Sequence, residues 1–241
     1  MRFGMTATVL FTALLAAGCR SGGNGDGSDA KVSPSVSGST SPSAPGSAPA
    51  SAEASSERPG DPLSAAQLKS AALSGSDADG FQVAAFPAKP AGGGTAAPAA
   101  CQPLENMRTA SPDPAPKAFE GLLAYATSGS AAGSATTVGL MAYEQSDAQG
   151  VLDGLRTALK TCTAYTGGVP ARTTADTAKA PDAGDDAVAF HLKTDGDTSD
   201  AFVVVRSGAT VVLFSTVSGT DSAAEVPEAL VSAQIEKLEQ A

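Results

Sequence analysis

The first hydrophobic feature of the chain is a run over residues 3–17, which is interrupted by one glycine and three threonines and preceded by Arg2. A run of about fifteen residues is shorter than the roughly 20 needed to span a bilayer, and its basic start is typical of a signal peptide. We therefore predict that residues 1–18 are a signal peptide. No later segment has 18 consecutive apolar residues, so no other membrane span is expected.

Residues 14–19 read Leu-Leu-Ala-Ala-Gly-Cys and resemble the bacterial lipobox. In that motif small residues precede a cysteine whose thiol takes a diacylglycerol, and Leu is preferred where this chain has Ala16. The resemblance implies that Cys19 carries lipid and holds the protein on the outer face of the cell membrane. Because each buried CH₂ contributes about 0.8 kcal/mol, two or three acyl chains anchor a protein stably. The alternatives are an ordinary secretory signal near Cys19 and an uncleaved anchor.

No hydrophobic period is present after Cys19. Between residues 21 and 60, 31 of 40 residues are Ser, Gly, Ala, Pro or Thr, and the only large aliphatic side chains are Val32 and Val36. Such a segment cannot bury enough apolar surface to offset the entropy of ordering its backbone. Residues 19–60 are therefore predicted to be a lipidated cysteine followed by a disordered tether, with O-glycosylation or peptide docking as alternatives to a plain spacer.

From residue 61 the pattern becomes periodic and predicts one domain over residues 61–241. Asp61 and Pro62 are typical of an N-cap and a first helical position, and they predict a helix that ends near Leu73. Strands are predicted at residues 81–86, 119–126, 137–143, 187–193, 202–206 and 210–217, and a short helix at 103–107. Loops are predicted at residues 88–100, 127–136 and 164–184, the last with a weak strand at 172–177.

Two longer segments have the helical period. In residues 146–161, Ser146 and Gln149 have the spacing of a capping box, and a single apolar face ends at Cys162. A second helix is predicted at 227–238, with apolar residues spaced to lie on a sheet. The uninterrupted apolar run at 211–214 indicates a central strand buried on both faces. The predicted fold class is therefore α+β, with an antiparallel sheet covered by helices.

Charge and composition exclude several classes of protein. The net charge is −10, and because the charged residues outside 61–241 cancel, all of it lies in the predicted domain. Without a basic cluster the chain lacks the electrostatic footprint of a nucleic-acid binder. One histidine and three cysteines cannot supply the usual ligand sets for Zn²⁺ or Fe–S clusters, and no cofactor is expected.

With Cys19 assigned to lipid, Cys101 and Cys162 remain as an even pair. In an oxidising compartment such a pair is expected to form a disulfide. Closing a loop of about 60 residues is worth roughly 4 kcal/mol on the chain-entropy model. The alternative is two separate buried thiols.

No catalytic arrangement is evident, and we expect the protein not to be an enzyme. His191 is the only histidine, and the strand alternation places it on the polar face, where a solvated side chain is expected instead of a general base. Thr157 and Lys160 have a nucleophile–lysine spacing but lie within an amphipathic helix, so we interpret them as helix surface. A carboxylate-only hydrolase stays open, since Asp and Glu are numerous.

An acidic cluster after the 187–193 strand has short ligand spacing. Asp195, Asp197 and Asp200 resemble the opening of a Ca²⁺ loop, but the sixth position is not Gly and no Glu stands at the twelfth. Asp195-Gly196 is also typical of a tight turn between two strands. We expect the turn, with the calcium loop as the weaker alternative.

The order of elements and several stretches resemble the PknH-like extracellular sensor domain, which occurs on some bacterial receptor Ser/Thr kinases and as free lipoproteins. The stretches are Ala-Leu-Lys-Thr-Cys at 158–162, Gly-Asp-Asp-Ala-Val-Ala-Phe at 184–190 and Phe-Val-Val-Val-Arg-Ser-Gly-Ala-Thr-Val-Val at 202–212. The resemblance implies an α/β sensor domain with a ligand cleft. It also matches Cys101 and Cys162 to the first of that domain's two disulfides, while the second pair has no counterpart. No kinase domain is present.

Together these features predict a lipid-anchored extracytoplasmic sensor or ligand-binding domain without catalytic activity. Its expected partners are the membrane, through lipid on Cys19, and an unknown small ligand or envelope protein. The alternative is a structural or interaction lipoprotein of the cell envelope that binds a protein partner. An apolar concavity favours a ligand, whereas a flat exposed apolar patch favours a protein.

Overall fold

The computed structural model describes residues 60–75, 77–86, 92–217 and 224–241, which belong to one compact unit of the chain. The predicted signal peptide, Cys19 and nearly all of the predicted tether lie outside the described residues, as does part of the loop predicted at 88–100. Within the described residues no helix is both long and apolar enough to cross a bilayer.

The fold is α+β, as predicted. The helices are α1 (Ala65–Ala71), α2 (Gln102–Arg108), α3 (Gln145–Thr161) and α4 (Glu228–Glu239), with a 3₁₀ turn at Ala99–Cys101. The strands are β1 (Phe81–Ala85), β2 (Ala118–Ala126), β3 (Ala135–Ala142), β4 (Ala164–Gly167), β5 (Val169–Ala178), β6 (Asp186–Thr194), β7 (Ser199–Ser207) and β8 (Thr210–Val217).

All eight strands form one antiparallel sheet in the order β1-β2-β3-β8-β7-β6-β5-β4. The last strand, β8, therefore lies between β3 and β7. Its residues Val211, Val212, Leu213 and Phe214 are buried on both faces of the sheet. The predicted central strand is confirmed.

The sheet separates two hydrophobic cores. On one face, α2 and α3 pack on a core that includes Leu152, Leu155, Phe190 and Phe202; the two rings stack with their centroids 5.0 Å apart. On the other face, α1 and α4 pack on alternate residues of the same strands, such as Val205 and Val212. The side-chain period of two along each strand supplies both cores at once.

A buried glutamine joins the two helices of the second core. The side-chain amide of Gln234 on α4 donates to the carbonyl of Ala71 at 2.8 Å and accepts from the N–H of Leu73 at 3.1 Å. Both backbone groups lie at the end of α1, where a helix leaves carbonyls without intrahelical partners. Gln234 therefore satisfies the C-terminal end of α1 from within the protein.

Both predicted helix caps were wrong. The N-cap of α1 is Ser64, whose hydroxyl accepts from the N–H of Gln67 while the Gln67 side chain accepts from the N–H of Ser64. This reciprocal capping box gives Ser64 two bonds that Asp61 lacks the spacing to make. The cap position of α3 is Glu144, so the helix has begun before Ser146.

The predicted disulfide is confirmed. Cys101 and Cys162 are bonded, with their Cα atoms 5.4 Å apart, and join the start of α2 to the end of α3. The two cysteines and the helices they join are buried together in the first core. The disulfide therefore fixes the helical layer that covers this face of the sheet.

The loop predicted at 164–184 was wrong where it contains β4 and the start of β5, but the weak strand predicted within it at 172–177 is confirmed as part of β5. The register of the β4–β5 pair shifts between Thr166 and Gly167, which marks a bulge. Beyond it, β5 pairs with β6 from Thr173 to Ala178. Tertiary pairing with β6 makes this segment extended although its own composition is that of a loop.

Candidate functional site

The helices leave part of one sheet face uncovered. On the first-core face, α3 packs against β5, β6, β7 and β8. Helix α1 packs against β2 and β3, but from the opposite face. Phe119 and Met141, at one end of β2 and β3, pack into the first core, but the other described residues of β1, β2 and β3 on this face belong to neither core.

The register identifies the side chains that share this uncovered region. Residues directly opposite each other in antiparallel strands point to the same face. One cross-strand row joins Gln82, Tyr125, Ala135 and Val217, and the next joins Ala84, Leu123, Thr137 and Ser215. We call these eight residues together with Phe86 the open face.

Phe86 belongs to the open face because it follows Ala84 by two residues and lies opposite Gly121 when the β1–β2 register is continued. Its N–H donates to the carbonyl of Gly121 at 2.8 Å. A Cβ on Gly121 would lie 2.6 Å from the Phe86 carbonyl oxygen and 3.2 Å from the ring of Phe119. Glycine at 121 thus allows both groups to lie close over the sheet.

The exposed large hydrophobic side chains of the described residues all lie on the open face: Phe86 is 39% exposed, Tyr125 48% and Val217 50%. Tyr125 and Val217 are separated by two strand spacings, or roughly 10 Å, and Phe86 lies about four residues, or roughly 13 Å, along the sheet from Tyr125. None of the nine open-face residues is charged, although the domain carries the whole net charge of −10. The open face is thus an uncharged, mainly apolar surface on an acidic domain.

A charged cluster borders this surface. Continuing the β7–β8 register places Asp200 opposite Val217. Burial raises the pKa of the Asp200 carboxyl, and the nearby Asp197 adds to the rise while Arg108 opposes it. Asp200 and Arg108 thus mark where the open face meets the helical layer.

Arg108 itself is held by a buried carboxylate. Its Nε and Nη2 donate to the two carboxylate oxygens of the fully buried Glu105 at 2.8 and 2.5 Å. Close beside the pair, burial raises the pKa of the Tyr165 hydroxyl, with further contributions from Glu105. A bidentate, partly desolvated pair of this kind is strong and geometrically fixed. The pair with Glu105 therefore fixes the orientation of Arg108.

Two grooves lie beside α3, away from the open face. One of about 280 Å³ is lined by α3, β5 and β6, with Lys160 at its rim and Arg156 paired to Asp153 and Asp186. The other, of about 180 Å³, lies between α2 and α3. Both are smaller than the roughly 300–1,000 Å³ of usual small-molecule pockets.

The residues singled out for chemistry lie apart from one another. His191 is half-buried on β6, between Asp176 of β5 and Ala201 of β7 in the register. The Thr157 hydroxyl donates to the carbonyl of Asp153 one turn earlier, as expected of helix surface. His191 and Thr157 thus lie on different elements, β6 and α3.

The acidic segment forms the predicted tight turn between β6 and β7. The N–H of Asp197 donates to the carbonyl of Thr194 at 3.0 Å, and Gly196 has a positive φ of 90°. Asp200 is already part of β7. Across the described parts of the chain, no group of three or more His, Cys, Asp or Glu side chains is arranged to hold a metal ion.

No protein-family model matches this chain, and no curated protein matches it either. Among solved structures, the extracellular domain of PknH from Mycobacterium tuberculosis is similar with a TM-score of 0.51 and 13% identity, covering 76% of this chain and all of that domain. The two share a fold. An uncharacterised protein from Mycobacterium smegmatis is similar with a TM-score of 0.35 and 16% identity, over 73% of this chain and 93% of its own.

The fold implied by the sequence resemblance is thus confirmed, and the open face is what the sequence did not indicate. Tyr125 alternates along β2 with buried residues such as Ala124 and Ala126, a pattern that strand prediction reads as one buried and one exposed face. The exposed side of a half-buried strand is normally polar. An exposed Tyr125 beside Leu123 is the signal that was available.

Proposed function

We propose that this protein is a lipid-anchored, extracytoplasmic binding domain of the sensor type, without catalytic activity, and that it binds through the open face. The observation that carries the proposal is the placement of Phe86, Tyr125 and Val217 on one uncharged surface. Exposed apolar residues clustered in this way are characteristic of interaction sites. The fold shared with the extracellular domain of PknH supports an extracytoplasmic setting.

The anchoring part of the proposal rests on the sequence. It assigns residues 1–18 to a signal peptide, Cys19 to lipid, residues 19–60 to a tether and residues 61–241 to the binding domain. A domain of net charge −10 is repelled by an anionic membrane surface. A tether of about forty residues reaches on the order of 35 Å, which keeps such a domain away from the bilayer.

The anchor is tested by comparing the wild type with Cys19→Ala in cells with and without globomycin. We expect the wild type to fractionate with membranes and its processing to be sensitive to the inhibitor, while Cys19→Ala is soluble or unprocessed. Ser21→Ala is the matched control, because it changes a residue just outside the motif and leaves Cys19 in place. A wild type as soluble as Cys19→Ala would overturn lipid anchoring.

Binding is tested by native mass spectrometry of the full chain purified from its own envelope in mild detergent. The wild type is expected to carry a bound mass that Tyr125→Ser with Val217→Ser loses, with an unchanged melting temperature. Lys160→Ser, at the rim of the larger groove, is the matched control and should retain the mass. Loss in Lys160→Ser with retention in the open-face variant would place binding in the groove and refute the role of the open face.

The shape of the surface favours the second candidate, an interaction lipoprotein that binds a protein partner. The open face is a sheet surface spanning four strands, and the grooves beside α3 are small for drug-sized ligands. A bound mass in the kilodalton range supports this candidate, whereas one of a few hundred daltons supports the ligand sensor.

A further inference from the structure

The two edges of the sheet are protected very differently. At one edge, β4 is four residues long and has a register shift between Thr166 and Gly167. The loop before α2 also lies against it, because Ala97 and Thr166 exchange two backbone hydrogen bonds of 2.7 and 3.0 Å. Short length, a bulge and a covering loop are the devices that keep an edge strand from pairing with other chains.

The other edge, β1, is also short at five residues, but among the described residues it has no register shift and no loop bonded to it as Ala97 is bonded to Thr166. Its sequence, Phe-Gln-Val-Ala-Ala, has no charge and no proline. Its pairing with β2 runs without a register shift from Phe81 to Ala85. No strand of the described parts of the chain pairs with its outer side. An uncharged, regular edge of this kind is a template for a further strand.

The hydrogen-bond pattern identifies the groups that such a strand would meet. Thr127 donates to Gly80, and Phe86 donates to Gly121. Because bonded and non-bonded pairs alternate in an antiparallel ladder, Gln82 and Ala84 bond to β2, whereas Val83 and Ala85 direct their N–H and C=O groups outward. Gly75 lies near the Val83 carbonyl, since a Cβ added to it would be 3.9 Å from that oxygen. Gly75 itself makes no backbone hydrogen bond to β1.

We propose that β1 accepts an extended segment of a partner protein as an additional strand. The inference rests on the proposed function, because it deepens the binding role of the open face. Every second side chain of the added strand lies beside Gln82, Ala84 and Phe86 on the open face. Main-chain bonds to Val83 and Ala85 supply affinity, and the open face selects the alternate side chains.

The charge of the domain decides what kind of segment fits. A second copy of this chain would bring a net charge of −10 against an equal one, and like charges oppose association. The open face itself is uncharged. A segment that complements the acidic domain and the uncharged open face is extended and basic in net charge. It carries apolar side chains at alternate positions, directed towards the open face.

The test uses the full chain and a synthetic eight-residue peptide that alternates lysine and valine, with a glutamate–valine peptide as its charge control. Ala85→Pro removes the outward N–H and leaves the β1–β2 bonds intact, since proline is tolerated on edge strands. Ala85→Val is the matched variant because it keeps the N–H. Peptide affinity and backbone hydrogen exchange are measured for each protein, together with the melting temperature.

We expect the lysine–valine peptide to slow exchange at Val83 and Ala85 by about tenfold or more. Ala85→Pro should weaken its binding by about tenfold, whereas Ala85→Val changes it by less than about threefold. The glutamate–valine peptide should bind at least about tenfold more weakly. Equal binding of the two peptides, or binding that leaves these two amides unprotected, overturns the proposal.

Two further outcomes separate this proposal from the one on which it rests. Protection of Val83 and Ala85 that grows with protein concentration in the absence of peptide would identify a second copy as the occupant and overturn the heterologous segment. If the mass bound in the envelope preparation depends on Tyr125 but survives Ala85→Pro, the open face binds without strand addition, and only the strand inference fails.

Discussion

Two halves of the same sheet face differ in what lies above them, and the change occurs within single cross-strand rows. The row that contains Gly121 and Gly139 continues into Leu213, Val204 and Val188. The glycines belong to the half beside the open face, whereas the three aliphatic residues are buried under α3. Helix placement, and not the strand pattern alone, therefore decides which half becomes core and which half is available for binding.

The largest expected effect is loss of the disulfide, which fixes the helices of the covered half. Replacing Cys101 and Cys162 together by Ser should lower the free energy of unfolding by about 4 kcal/mol. Urea denaturation measures the loss, and hydrogen exchange locates it. Protection should fall most in α2 and α3. A fall that is equally large in β1 and β2 would show that the two halves are not independent.

The difference between the half of the sheet face under α3 and the open face is tested by one side-chain truncation in each. Leu155→Ala, in the core beneath α3, should cost about 3 kcal/mol, because it leaves a cavity. Tyr125→Ala, on the open face, should cost no more than about 0.5 kcal/mol. Denaturant midpoints of the two variants give the difference. A Tyr125 variant as unstable as the Leu155 variant would mean that something covers the open face.

Glycines in the two halves should respond to alanine with opposite signs. A Cβ on Gly150 of α3 meets nothing within 4 Å, so Gly150→Ala should stabilise the protein by about 1 kcal/mol through helix propensity. A Cβ on Gly121 meets the Phe86 carbonyl at 2.6 Å, so Gly121→Ala should destabilise it by about 1 kcal/mol or more. Thermal unfolding distinguishes the two. A stabilising effect of Gly121→Ala would contradict the close approach of the Phe86 carbonyl to Gly121.

The smallest effect concerns the segment that leads into β1. Hydrogen bonds from Lys237, and then from Ser74, lower the pKa of the Asp77 carboxyl to about 2. Because the folded-state pKa lies below the unfolded value of 3.8, this contribution to stability is complete above about pH 4 and is lost as the pH falls towards 2. The melting temperatures of wild type and Asp77→Asn should converge over that window. A constant difference would exclude the ionised carboxylate as its source.

The fold class was predictable from the sequence because most elements have strong periods of their own. The apolar face of α3 and the uninterrupted apolar run in β8 need no tertiary information to be recognised. The disulfide followed from counting cysteines once Cys19 was assigned to lipid. The helix, the strand and the disulfide could be recognised from local patterns or from the number of cysteines, and the structure confirms all three.

The misses share a different cause. Gly167, Gly168 and Pro170 are typical of loops, and the start of β5 is a strand through its pairing with β4, which the sequence pattern did not predict. The capping box of α1 was readable in Ser64 and Gln67, but the preceding Asp-Pro pair also fits a helix start. The open face depends on where α3 packs, and the apolar Leu123 and Tyr125 on β2 do not by themselves show that no helix covers them.

The position of β8 in the sheet also determines when folding of the sheet can finish. Strands β1 to β3 and strands β4 to β7 each pair with neighbours in the sequence, so each group forms through local contacts. Among the described strands of the sheet, the two groups are joined through β8, which pairs with β3 across a separation of about 70 residues or more. Since non-local pairing slows folding, we expect the chain to remain as two unjoined meanders until β8 has been synthesised.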